Sequence, residues 1–373
     1  MMPAMFRPIL FLSVALWLAQ PPPAHAQDTP KPESAGLTPE GQALEIHTLK
    51  NAHGLEARVL NWGATLVKMS VPDRAGKFAD VTLGFDDPKR YLSPHPFFGS
   101  IAGRYANRIA KGQFALDGNT FELAKNNGPN HLHGGTRGFD KRIWKVEQSS
   151  PASARFSYVS PDGEEGYPGT LSVSVTYTLT DKDELRLEYE ARTDKPTVLN
   201  LTNHTYWNLA GTGDVLGHIL QLHASRYTVV DPGLIPTGAI QTVKDTPLDF
   251  TVSKQIGRDI EALKGEGFPG GYDHNFVIDR TKSDELALCA EVLDPASGRM
   301  MRVLTTEPGV QFYTANGLNN VAGKAGATYG KHAGFCLETQ HYPDSPNHPE
   351  FPKAELRPGG TFHSTTVYEF SVR

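Results

Sequence analysis

The sequence predicts an all-β protein, a large antiparallel β-sandwich, on three observations. First, apolar and polar residues alternate with period two. Leu171, Val173, Val175, Tyr177 and Leu179 interleave with Ser172, Ser174, Thr176 and Thr178, the signature of a half-buried strand. Second, runs of this kind recur between turn residues such as Asp117-Gly118, Asp162-Gly163 and Asp294-Pro295-Ala296-Ser297-Gly298, which favour tight reversals. Third, helical spacing occurs in one place, residues 253–263, where Ile256, Ile260 and Leu263 share a face behind a serine cap. Strand following strand with so little helix stacks into antiparallel sheets.

In chain order, residues 1–26 read as a cleavable export signal. Arg7 supplies a positive charge, Ile9 to Leu18 a short apolar core, and Ala24-His25-Ala26 a small-residue cleavage site. The apolar run is too short to span a bilayer. The expected product starts at Gln27, is periplasmic or secreted, and has no membrane attachment once the signal is removed. Residues 27–37, Pro-bearing and charged without pattern, read as a disordered leader. Strands are expected at 44–49, 55–60, 65–71, 144–148, 154–160, 171–179, 185–189, 286–293, 299–305, 310–313 and 361–372, with 185–189 closing a hairpin on 171–179. No repeat, linker or composition shift divides residues 38–373, which read as one domain. The 373-residue chain has 36 Lys and Arg against 41 Asp and Glu, a formal charge of −5. That balance argues against a nucleic-acid partner. Only two cysteines occur, Cys289 and Cys336, both in apolar runs. They are either a cross-strand disulfide or two buried thiols.

Several segments interrupt the alternation with residues a sheet does not need. The segment 334–344, Gly-Phe-Cys-Leu-Glu-Thr-Gln-His-Tyr-Pro-Asp, carries one carboxylate, Glu338, within a short apolar strand. Taken alone, such a glutamate points to solvent more often than not, whereas a buried one has a raised pKa and serves as a base. Residues 103–112 place Asn107 beside Arg108, a rigid fork of donors suited to oxygen-rich ligands or to a surface salt bridge. Residues 126–135 form a Gly-, Pro- and Asn-rich loop holding His131 and His133, and this His-x-His pair without further ligands is a weak metal signal. Residues 199–209 set His204 among amides and aromatics, as suits either a sugar-sized ligand or a core histidine. Asp273 enters a strand behind Gly270-Gly271, and Gln311 lies between aromatics at 308–313. There is no nucleophile elbow, phosphate loop or cofactor fingerprint. The inventory suits proton transfer on a neutral polyol.

Together these six segments, taken in chain order, resemble the aldose 1-epimerase (galactose mutarotase) family, over nearly the whole chain from about Leu44 onward. The resemblance implies a β-supersandwich that interconverts α- and β-anomers of hexoses, a small-molecule sugar substrate, with no cofactor. No metal is expected from the weak His-x-His signal, and the oligomeric state, monomer or dimer, is left open by the sequence. It implies that Glu338 is the general base, His204 the general acid and His133 a second active-site histidine. It further implies that Asn107, Arg108, Asp273 and Gln311 bind the sugar. On that basis Glu338 works ionised and His204 protonated, each tuned near neutrality. The export signal departs from many relatives, which are cytoplasmic. Two other readings accommodate the same residues: a glycosidase using Glu338 with Asp273, and a sugar-binding module without catalysis.

Overall fold

The computed structural model describes residue 1, residues 30–265 and residues 268–373; beyond Met1, the expected export signal lies outside them. Three main sheets dominate, all of whose strand pairs run antiparallel. The largest has nine strands, in the order Lys145–Ser150, Ser153–Ser160, Leu171–Leu179, Glu184–Thr193, Phe362–Val372, Arg299–Thr305, Ala287–Leu293, Ile219–Leu222 and Lys254–Gln255. A five-stranded sheet orders Pro236–Thr242, Arg226–Val230, Asp273–Val277, Gly309–Tyr313 and Cys336–Gln340. A second five-stranded sheet holds the N-terminal strands Glu33–Leu37, Ala43–Lys50, Glu56–Leu60, Thr65–Pro72 and Phe78–Asp80. Among the described residues there is no α-helix, only short 3-10 turns.

The alternation read in the sequence decides how the sheets stack. Val173, Val175 and Tyr177 of the large sheet join Phe276, Val310, Phe312 and Leu337 of the smaller one in a single hydrophobic core. Ala57, Val59, Leu66 and Met69 of the N-terminal sheet enter the same core. Burying a side chain of this size is worth roughly 1.5–3 kcal/mol, so registers that turn these residues outward are strongly disfavoured.

Two expectations are overturned. Residues 253–263 are not a helix: Lys254–Gln255 pairs with Ile219 and Leu220 at the edge of the large sheet, and only Ile260–Leu263 turns, as 3-10. The amides of Ile256 and Gly257 donate to His218 and Leu216 carbonyls, and a Cβ at Gly257 would lie 3.0 Å from Leu216. Tertiary pairing thus outweighs an apolar spacing that Gly257 already weakens. The leader ends earlier than expected, because Glu33–Leu37 is an ordered edge strand paired with 43–46, with a bulge between Ser34 and Gly36. An edge strand needs only its neighbour's backbone groups, so no alternation in its side chains announces it. The cysteines, left open in the sequence, are both free and buried.

Candidate active site

The floor of the site is the five-stranded sheet's second face. Gln311 lies directly across from both Asn275 and Glu338, and Asp273 sits two residues along its strand from Asn275. Residues two apart share a face, so Asp273, Asn275, Gln311, Glu338 and Gln340 all project to the side opposite the core. There they form a polar mat. Gln311 Nε2 donates to Asp273 Oδ1 at 2.6 Å, and Gln340 Nε2 donates to Asn275 Oδ1 at 3.2 Å. The solvent-facing alternative for Glu338 therefore fails: the residue is 2 % exposed, because this face lies under loops rather than water. Burial, with Asp273 adding to it, holds its carboxyl well above the usual range, while Arg108 opposes. Asp273 is raised for the same first reason, burial, against Arg108 and the Gln311 bond.

His204 follows the short strand Thr202–Asn203 and is fixed through its backbone, its amide donating to Ser100 O and its carbonyl accepting from Gly99. Its ring stacks on Tyr206 at 5.1 Å. Nε2 lies 3.6 Å from Glu338 Oε2, and Nδ1 lies 3.6 Å from the Cys336 thiol. Glu338 Oε2 is buried with no hydrogen-bond partner in the protein, a costly state unless a ligand group supplies the bond. The expectation of a near-neutral imidazole does not hold. Desolvation pushes His204 down to about 4 while burial raises Glu338, so burial favours the form of the pair with its proton on the carboxyl.

His133 closes the cluster, 5.1 Å from the His204 ring. Its backbone and Asn107 grip each other: the His133 amide donates to Asn107 O, and the Asn107 amide donates to His133 Nδ1 at 3.2 Å. That bond requires Nδ1 to accept, so the proton of the neutral ring is on Nε2; burial keeps the ring neutral. Gly134 permits the approach, since a Cβ there would fall 1.7 Å from Gly103 O. Asn107 Oδ1 accepts from the Arg108 amide, and Arg108 Nε donates to Asn127 at 3.1 Å. All seven expected residues thus share one neighbourhood. His131 does not: its Nδ1 meets Ala124 O at 2.7 Å and its Nε2 meets the Tyr167 hydroxyl at 2.6 Å, making it a structural histidine. Among the described residues, His133, His204 and Glu338 are the group that could hold a metal, with ligand atoms within 4.8 Å of one another. Any such ion would occupy the space between the acid and the base.

One residue missed in the sequence belongs here. Phe97, in Pro94-His95-Pro96-Phe97, is partly exposed and lies 4.6 Å from His133 and 5.7 Å from His204, ring to ring. Two prolines followed by Phe-Phe-Gly signal a tight turn that presents an aromatic, and no strand pattern accounts for it.

Stacked antiparallel sheets carrying a buried acid–base pair on an amide-rich floor fit the class of carbohydrate enzymes that work by proton transfer. The comparisons narrow that class. The family model for aldose 1-epimerase matches residues 45–369, and the chain belongs to that family. It is 48 % identical to galactose mutarotase of Sus scrofa over 321 residues, covering 85 % of this chain and 92 % of that protein. It is 38 % identical to aldose 1-epimerase of Escherichia coli K12 over 341 residues, covering 91 % and 98 %. Among solved structures, the aldose epimerase homologue from C. elegans superposes with a TM-score of 0.83 at 35 % identity, covering 88 % of this chain and 99 % of its own. Galactose 1-epimerase from Lactobacillus acidophilus superposes with a TM-score of 0.79 at 29 % identity, covering 90 % and 96 %.

Proposed function

We propose that this chain interconverts the α- and β-anomers of free hexoses such as glucose and galactose, with Glu338 as general base and His204 as general acid. The observation that carries the assignment is the orphaned Glu338 Oε2, buried 3.6 Å from His204 Nε2. A sugar's anomeric hydroxyl donating to Oε2 supplies the missing hydrogen bond. Such a bond favours the carboxylate, so the shared proton moves to His204. Glu338 then takes the C1 hydroxyl proton while His204 protonates the ring oxygen, the C1–O5 bond breaks, and the open aldehyde forms. Rotation about C1–C2 presents the other carbonyl face, and ring closure runs the transfers in reverse. Arg108, His133 through Nε2–H, Asp273, Gln311 and Asn107 hold the remaining hydroxyls, so that only the reacting end swings.

Polarimetry on freshly dissolved α-D-glucose and α-D-galactose tests this. The wild type accelerates mutarotation, and Glu338→Gln and His204→Asn each lose about 10²- to 10⁴-fold in kcat. A folded wild type that leaves the spontaneous rate unchanged overturns the reading. Release of methanol from methyl β-D-galactoside would instead favour the glycosidase alternative, which pairs Glu338 with Asp273.

The protein acts outside the cytoplasm as a soluble species, in the periplasm or beyond. Arg7, the apolar stretch after it and Ala24-His25-Ala26 support this. N-terminal sequencing of the exported protein is expected to begin at Gln27; a mature chain that retains residues 1–26 contradicts it.

A further inference from the structure

Phe97 has a backbone conformation that needs explaining. Its φ is +59°, a left-handed setting that a bulky side chain adopts only when its surroundings impose it. Here they do. The Phe97 amide donates to His95 O at 2.9 Å, closing a three-residue turn around Pro96, and its carbonyl accepts from Ser100 at 3.1 Å. The next residues are locked to the His204 strand, with Gly99 N–H on His204 O and His204 N–H on Ser100 O. The turn is thus built onto the segment that carries His204.

What the strained turn achieves is the placement of one ring. Phe97 lies over both imidazoles, stacked at 22° on His204 and tilted at 53° to His133. The Lys141 ammonium sits 5.2 Å from the ring centroid, anchored to Asp140 at 2.6 Å. Its neighbours Phe98 to Asn107 are buried, as are His133, His204 and Glu338, whereas Phe97 is partly exposed. A core aromatic would be covered. This one stays partly exposed although it packs against both buried imidazoles.

We propose that Phe97 is a substrate-contacting residue, its ring being the apolar platform on which the C–H face of the hexose rests above His204 and His133. A pyranose presents apolar C–H groups on its faces and hydroxyls at its edge. The amides and carboxyls of the floor take the edge, and a flat aromatic takes the face. This assignment rests on the hexose reading given above.

The test separates binding from turnover and ring from backbone. Methyl β-D-galactopyranoside cannot open, so its equilibrium affinity reports docking alone; polarimetry on α-D-galactose reports kcat and KM. Phe97→Ala is expected to raise the glycoside Kd and the KM each by about tenfold with kcat changed less than about threefold, the pattern of lost uniform binding. Phe97→Leu, which keeps bulk without a flat face and guards against a misfolded alanine variant, is expected to weaken both severalfold. Phe97→Gly relieves the left-handed strain while removing the ring, and is expected to match Phe97→Ala. Wild-type affinity in folded Phe97→Ala, or recovery of that affinity in Phe97→Gly, overturns the proposal. A wild type that binds the glycoside but does not accelerate mutarotation sinks the epimerase reading instead, leaving Phe97 to be judged on Kd.

Discussion

At the residue scale the proposed mechanism turns on a single proton shared by Glu338 and His204, and its pH behaviour follows. The pair works while it holds one proton, and fails when a second is added or the last is lost. His204 takes the second proton only near its lowered value of about 4, well under the ordinary 6.5 or so of an exposed imidazole. Glu338 gives up the last one well above the ordinary carboxyl range. The kcat/KM profile measured by polarimetry is therefore expected to fall on the acid side near pH 4, and to decline on the alkaline side through the raised Glu338 pKa. An acid limb near 6.5 would mean that water reaches the His204 ring. The candidate residues stood out because each segment departs from what a strand requires, and their roles came from the family resemblance that the segments together carry. Burial was not, since Cys-Leu-Glu-Thr-Gln alternates identically whether its polar face meets solvent or a layer of loops. The proton's resting place, set by that burial, was hidden for the same reason.

At the scale of elements, strands were read well where one face enters the core, and poorly where tertiary pairing alone makes them. The run Leu171–Leu179 matches its expected bounds, whereas Glu33–Leu37 and Lys254–Gln255 are short edges held by a neighbour's backbone. Loop geometry was the least legible. The segment bearing His133 is seated by the contact of Gly134, at φ +84°, against Gly103 O. Gly134→Ala must move one of those backbones, and displacement of a catalytic group by about 1 Å can cost around 10²-fold. The expected outcome is a loss of that order in kcat/KM, together with a lower urea midpoint. Normal kinetics in this variant would show that the loop tolerates the shift.

Over the whole molecule, single buried arginines join segments far apart in the chain. Arg104 is 1 % exposed, and its guanidinium donates to the carbonyls of Ser160, Pro161, Pro168 and Gly169 and to the hydroxyls of Ser160 and Thr197. Lysine cannot reproduce that fork. Arg104→Lys is expected to destabilise the fold by about 3 kcal/mol, read as a lower urea midpoint with an unchanged m-value. Treatment with EDTA is expected to leave mutarotation unaffected, because the proposed acid and base act through protons alone; loss of activity that zinc restores would contradict this. The two free thiols carry a further consequence. Cys289 and Cys336 sit fully buried in separate hydrophobic clusters, so the finished fold seals both from oxidants. The hazard of oxidation is confined to the interval before the sheets close. A cross-link formed in that interval joins strands that belong to different sheets and locks the chain out of its native topology. Folding yield, rather than the activity of folded enzyme, is where the oxidising power of the surroundings registers.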